Sequence, residues 1–205
     1  MKYDKEIIKK FGKRDIEYGI FEGNNKILFI KTGQNGTIYG FDNKYLKIAK
    51  QINEKIGATV IVASTYFTGK NSLQNGIELI EEYSKERNFI DYDIYYMGFS
   101  NGALIGALFA NKYEKIKKML LINMPLFLFL KNIINELNHF KGEEITLVYG
   151  DLDQSFKYIP LILPKIHDSI KLEILEDINH YFKDNEEIFI NLPEKYLFNN
   201  DILKL

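Results

Sequence analysis

The chain has 205 residues, of which 46% are hydrophobic and 27% charged, and its net charge is −1. That length suits one domain with a sizeable core, and the near-neutral balance gives no electrostatic case for nucleic acid or an anionic membrane as a partner. With no cysteine in the sequence, disulfides, thiolate metal sites and a cysteine nucleophile are excluded outright.

The first ten residues, Met1 to Lys10, lack the apolar stretch of a signal peptide. The longest apolar run, Met124 to Leu130, is too short to span a bilayer, so the expected setting is the cytoplasm with no membrane insertion. Arg14 to Phe21 alternates, with Ile16, Tyr18 and Ile20 on one side. It reads as an antiparallel edge strand paired with the strand that follows the turn Gly23-Asn24-Asn25. Lys26 to Lys31 is that strand. Asp42 is placed to N-cap a helix with Leu46, Ala49, Ile52 and Ile56 at helical spacing, and Gly57 stops it. Ala58 to Ala63 is a strand, and Ser72 can cap a helix whose inner face is Leu73, Ile77, Ile80 and Tyr83. Further strands are read at Asp93 to Met97, Lys118 to Asn123, Glu144 to Tyr149 and Ile170 to Leu175. Helices are read at Ala103 to Ala110, Leu130 to Phe140 and Asn185 to Asn191. Pro160 and Pro164 leave a short or broken helix between Phe156 and His167. Continuous apolar strands separated by amphipathic helices predict an α/β fold over residues 1–205, a mainly parallel sheet covered on both faces.

The five residues Gly98-Phe99-Ser100-Asn101-Gly102 spell G-x-S-x-G between the apolar strand Ile94–Met97 and a helix rich in small residues. A serine in that setting is a nucleophile elbow. The turn lifts its hydroxyl above the sheet, and the flanking glycines avoid collisions with neighbouring elements. A serine hydroxyl is a poor nucleophile at neutral pH. It needs an imidazole base, and the base needs a carboxylate to fix its tautomer. Of the three histidines, His180 follows the last strand and its loop. His139 lies in a helical region and His167 precedes a strand, so both read as surface or edge residues. The carboxylate is expected at the carboxyl end of the preceding strand, where Gly150-Asp151-Leu152-Asp153 offers two. Asp153 is favoured because the strand ends and the loop turns before it appears. Asp151 can instead form the turn.

These residues make the chain resemble the α/β-hydrolase superfamily in a small form. The order Ser100, Asp153, His180 is that family's order of nucleophile, acid and base, and the resemblance runs from about Lys26 to Asn191. It implies a serine hydrolase acting on carboxylic esters or thioesters of a small-molecule acyl substrate, with no cofactor. Peptidase, amidase and acyltransferase chemistry use the same three residues, and a binding protein can keep the same fold. An acyl-transfer intermediate also needs backbone N–H donors for its oxyanion. The Asn101 amide is the first candidate. The second is the Gln34 amide in the loop Thr32-Gly33-Gln34-Asn35-Gly36, where family members often carry His-Gly and this chain has Thr-Gly. A plain glycine-rich connection is the other reading of that loop. The loop lacks the nucleotide-binding glycine patterns, and the histidines lack metal-ligand spacing.

About twenty residues separate the strands that flank Met124–Leu130, so no large lid insertion is expected. That apolar segment either lines an acyl pocket or forms the buried face of the crossover helix. Tyr66 and Phe67 are expected to border the cleft. No basic cluster near these loops calls for a strongly anionic substrate, and the sequence leaves the oligomeric state open.

Overall fold

Eight strands form one sheet in the order β1-β2-β4-β3-β5-β6-β7-β8 in a computed structural model that describes residues 1–11, 14–66 and 71–199. The strands are β1 (Lys5–Phe11), β2 (Arg14–Phe21), β3 (Asn24–Lys31), β4 (Ala58–Ala63), β5 (Asp93–Phe99), β6 (Ile116–Ile122), β7 (Glu144–Gly150) and β8 (Ile170–Leu175). All pairings from β4 to β8 are parallel, while β1 pairs β2 and β2 pairs β4 antiparallel. The helices are α1 (Lys44–Ile56), α2 (Gln74–Glu86), α3 (Asn101–Phe109), α4 (Leu130–Asn138), the short α5 (Ile159–Ile162) and α6 (Glu186–Leu197).

The inner strands are buried residue after residue, as apolar runs covered on both faces must be. One face carries α2, α3, α4 and α5, packed through Ile77, Leu104, Ile133 and Ile162. The other carries α1 and α6, packed through Ile48, Ile52, Phe189 and Leu192. Gly57 closes α1 in the left-handed region at φ 71°, with its N–H bonded to the Asn53 carbonyl, so the expected stop is the observed one.

The sheet departs from the expected topology at its amino end. β3 is buried from Ile27 to Lys31 and takes β4 and β5 as parallel neighbours, so neither of its edges is open to β2. β2 therefore lies on the outer edge of β4, with Tyr18 opposite Ala63, and the true edge is β1, which the sequence reading left unassigned. The lysine-rich, largely exposed β1 guards that edge against further pairing.

Two helix starts also differ. Asn43, not Asp42, precedes α1. Both residues have left-handed backbones that tighten the entry, and the Asp42 carboxylate pairs with Lys47. Before α2 stands Leu73, whose N–H donates to the Asn71 side-chain oxygen at 3.2 Å, while Ser72 is buried. α6 runs through Pro193 rather than ending near Asn191, because Leu192, Leu197 and Phe198 are all anchored in the core. α5 is a four-residue helix between short 3-10 turns, the broken form that two prolines require. No helix among the described residues is long and apolar enough to cross a membrane.

Candidate active site

β5 delivers Ser100 to the carboxyl edge of the parallel strands. Its backbone sits at φ 52°, ψ −114°, a conformation that costs an L-residue free energy and is held only because both sides are fixed. On one side its N–H donates to the Ile122 carbonyl of β6 at 2.8 Å. On the other its carbonyl accepts from Leu104 of α3 at 3.1 Å. The flanking glycines are steric necessities. A Cβ on Gly98 would stand 2.6 Å from the Ala103 backbone, and one on Gly102 would press into the carbonyl oxygens of Lys31 and Thr32. Gly102→Ala is accordingly expected to destabilise the fold by about 1–3 kcal/mol in denaturant titration, since backbone rather than a pliable side chain must yield.

His180 Nε2 lies 3.1 Å from Ser100 Oγ, and its Nδ1 bonds Asp153 Oδ2. Because an ionised carboxylate only accepts, Nδ1 carries the proton in this arrangement, which leaves Nε2 free to accept from the serine hydroxyl. The Asp153 side chain is 1% exposed and that of His180 30%, so the imidazole reaches solvent while the carboxylate does not. Asp153 is further held by the Ser155 N–H, which donates to Oδ1 at 2.6 Å. Asp151 makes no such bond. Its Oδ1 is buried without a hydrogen-bond partner among the described residues. His139 bonds the Asn135 carbonyl on α4, and His167 bonds Ser169, both on exposed surface.

The loop after β3 lies against the elbow. A Cβ on Gly33 would be 3.2 Å from the Phe99 ring and 3.6 Å from Ser100 Cβ. The loop is braced by Thr32 Oγ1 donating to the Gly36 carbonyl at 3.0 Å and by the Asn35 N–H donating to the Thr65 carbonyl at 2.9 Å. Asn101 Nδ2 donates to Gln34 Oε1 at 2.6 Å, so the two residues named as oxyanion donors stand side by side next to Ser100.

Three features escaped the sequence reading. The first is Asn123, fully buried at the end of β6. Its Nδ2 donates to the His180 carbonyl at 2.9 Å, and its Oδ1 accepts from the Gly150 N–H at 3.0 Å. The second is Lys44, whose ammonium sits 4.3 Å from the centre of the Phe189 ring and 4.4 Å from that of Phe99. Phe99 in turn packs 5.4 Å from the His180 ring. Burial pulls the Lys44 ammonium down to about 8, against the opposing pull of Glu186. The third is Lys31, the last residue of β3, 2% exposed. The bond that holds its ammonium among the described residues is to the Ser64 carbonyl at 3.5 Å, and burial lowers it to about 8.

That last observation has a measurable consequence. A lysine whose folded value lies below the ordinary 10.5 binds fewer protons in the native chain than in the unfolded one between those two values. Native stability therefore rises with pH from about 8 to 10.5, and the cost of the buried charge is present in full below 8. Lys31→Met is expected to raise stability at pH 7 by about 1–3 kcal/mol, with the gain shrinking toward pH 10.5. Thermal unfolding at pH 7 and pH 10 tests it, and a variant less stable than wild type at pH 7 would contradict it.

Of the other expected lining residues, Tyr66 lies under the Arg14 guanidinium beside Lys31, and Phe67 lies outside the described residues. The segment from Met124 to Phe129 is not the face of a helix, since α4 starts only at Leu130. Met124 and Leu126 enter the core, whereas Phe127, Leu128 and Phe129 are exposed beside the Asp153 loop, with the Phe127 ring 6.4 Å from Tyr158. One apolar run thus serves both inside and outside, because a loop, unlike a helix, can send neighbouring side chains in opposite directions. Among the described residues, no group of three or more histidine or acidic side chains gathers where it could hold a metal ion.

No protein-family model matches the chain, and no curated protein does. Solved structures are similar along nearly its whole length. Est1E from Butyrivibrio proteoclasticus aligns with a TM-score of 0.73 at 13% identity, covering 98% of this chain and 99% of its own. An α/β serine hydrolase without a lid from Xanthomonas campestris gives 0.70 at 14% identity, covering 94% and 93%. An esterase domain of a Rhodothermus marinus protein gives 0.63 at 11% identity, covering 94% and 98%. The chain has the α/β-hydrolase fold.

Proposed function

We propose that this protein is a serine hydrolase that cleaves carboxylic esters or thioesters of small molecules through an acyl-enzyme. The observation that carries this reading is the chain of hydrogen bonds from Ser100 Oγ through the His180 ring to the buried Asp153 carboxylate. Ser100 Oγ attacks the acyl carbon as its proton passes to His180 Nε2, and Asp153 holds the resulting imidazolium. The carbonyl electrons move onto oxygen, which the backbone N–H groups of Gln34 and Asn101 receive. Collapse of this intermediate breaks the bond to the alcohol or thiol, which leaves with the proton from Nε2. Water, deprotonated by His180, then attacks the acyl carbon, and Ser100 departs with the returned proton as the acid is released.

The fold supports the reading in a second way, because the serine hydrolases it resembles share it at low identity. Labelling with a fluorophosphonate tests the proposal directly. One adduct by intact mass, located on Ser100, is the expected result. Turnover of an ester and thioester panel then divides the two acyl classes. A folded protein that takes no adduct and hydrolyses nothing in the panel would overturn the proposal.

A further inference from the structure

Asn123 is the residue at which β6 stops, and three facts about it converge. Its φ of 47° lies in the left-handed region, which among side-chain-bearing residues asparagine tolerates best. It is 0% exposed, so its amide has to be paired within the protein. Both ends are paired, and each to a different loop. Oδ1 accepts from the N–H of Gly150, whose carbonyl in turn accepts from the Asp153 N–H at 3.1 Å. Nδ2 donates to the main-chain carbonyl of His180 itself.

The preceding residue completes the pattern. The Ile122 carbonyl accepts from the Ser100 N–H at 2.8 Å. Two consecutive residues at the end of β6 therefore hold the main chain beside or at each of the three groups, Ser100 through Ile122, and Gly150 and His180 through Asn123. Other bonds join the acid loop to the base loop, such as the Leu152 N–H to the Ile178 carbonyl at 3.2 Å. Those bonds fix the two loops to each other. The Asn123 amide fixes both to the strand that neighbours the nucleophile.

We propose that Asn123 is a positioning residue whose side-chain amide sets the reach from His180 Nε2 to Ser100 Oγ; the inference rests on the hydrolase reading above. The chemistry accounts for the residue type. The site presents an N–H to be accepted and a carbonyl to be donated to, and a primary amide does both at once. An aspartate offers two acceptors, so one oxygen faces the His180 carbonyl in repulsion. A leucine satisfies neither group and leaves two buried backbone groups unpaired.

The test uses the full chain and two variants. Asn123→Gly keeps the left-handed backbone and deletes the bridge. Asn123→Asp keeps the shape and replaces the one donor. Both are first compared with wild type for far-UV circular dichroism and melting temperature. A misplacement of the base by about 1 Å is expected to lower kcat 10- to 100-fold in Asn123→Gly, with KM changed less than about threefold, and Asn123→Asp to lose at least as much. The low-field proton resonance of the His180–Asp153 hydrogen bond is expected to move or broaden in both, a change that lost stability alone does not produce.

A folded Asn123→Gly with kcat within twofold of wild type and an unmoved resonance overturns the proposal. So does a rise in KM at constant kcat, which would mark a substrate contact. If the glycine variant does not fold, the aspartate variant decides by the same criteria. Failure of both to fold also overturns the proposal in favour of a purely structural role. Ser100→Ala in the same assay separates the two readings. Hydrolysis undiminished in that variant removes the hydrolase mechanism itself, whereas hydrolysis abolished there but intact in the Asn123 variants removes only the positioning role.

Discussion

Replacing Ser100 with alanine is expected to lower kcat/KM on any ester or thioester the protein turns over by at least about 10⁴-fold, and to abolish fluorophosphonate labelling. The variant keeps the elbow. Its anchoring bonds, to the Ile122 carbonyl and from the Leu104 N–H, are made by the backbone and do not involve the hydroxyl. Alanine at φ 52° inherits the strain of the native residue, whereas glycine releases it, so Ser100→Gly is expected to be more stable than Ser100→Ala by about 1 kcal/mol. The pair makes a double test. Both variants lose chemistry, but only one gains stability, which would show that the positive-φ backbone at Ser100 stores strain. An alanine variant that retains its activity would show that another group attacks the substrate.

The sequence makes the centre of the molecule legible and its margins much less so, for physical reasons that differ from residue to residue. Ser100 is readable because everything that defines an elbow is covalently adjacent to it: strand, glycines and helix. The inner strands are readable because burial on both faces forces an unbroken apolar run, as in Ala58–Ala63. β1 is not readable, because an edge strand protected by lysines looks like any solvated segment. Nor does the alternation of β2 say whether its neighbour is β3 or β4. Alternation reports one buried face and not the identity of the adjoining strand.

Within the site the same distinction holds. Gln34 and Asn101 can be named from loop position, but the side-chain bond that joins them depends on β3 lying next to β5. Asn123 carries no local signal, since its function comes from three segments meeting in space. Lys31 and Lys44 read as surface charges by residue type, and only the packed structure shows an ammonium within a carbonyl's reach and another against the faces of Phe99 and Phe189. Asp151 and Asp153 are two residues apart with the same chemistry. What separates them is the close approach of Gly150 to the Ile178 carbonyl, where no Cβ fits, and the tight turn that follows it.

Asp153→Asn is expected to reduce kcat by about 10⁴-fold without unfolding the protein, and local hydrogen bonding explains why an almost isosteric change costs so much. In the native arrangement Oδ1 accepts from the Ser155 N–H and Oδ2 accepts from His180 Nδ1–H. Asparagine has one oxygen, and the fixed Ser155 N–H claims it. The amide nitrogen then faces His180 and donates, so Nδ1 must give up its proton and Nε2 must carry one. A protonated Nε2 cannot accept the hydroxyl proton of Ser100, although the imidazole has not moved. The expected signature is a fall in kcat matched by a fall in the rate of fluorophosphonate labelling, because both depend on the same proton acceptor. Asp151→Asn is the control. Its buried Oδ1 has no hydrogen-bond partner among the described residues, and its variant is expected to stay within about threefold of wild type. If the two substitutions exchanged their effects, the acid would be Asp151, and the loop would have to reorganise in solution to bring it to His180.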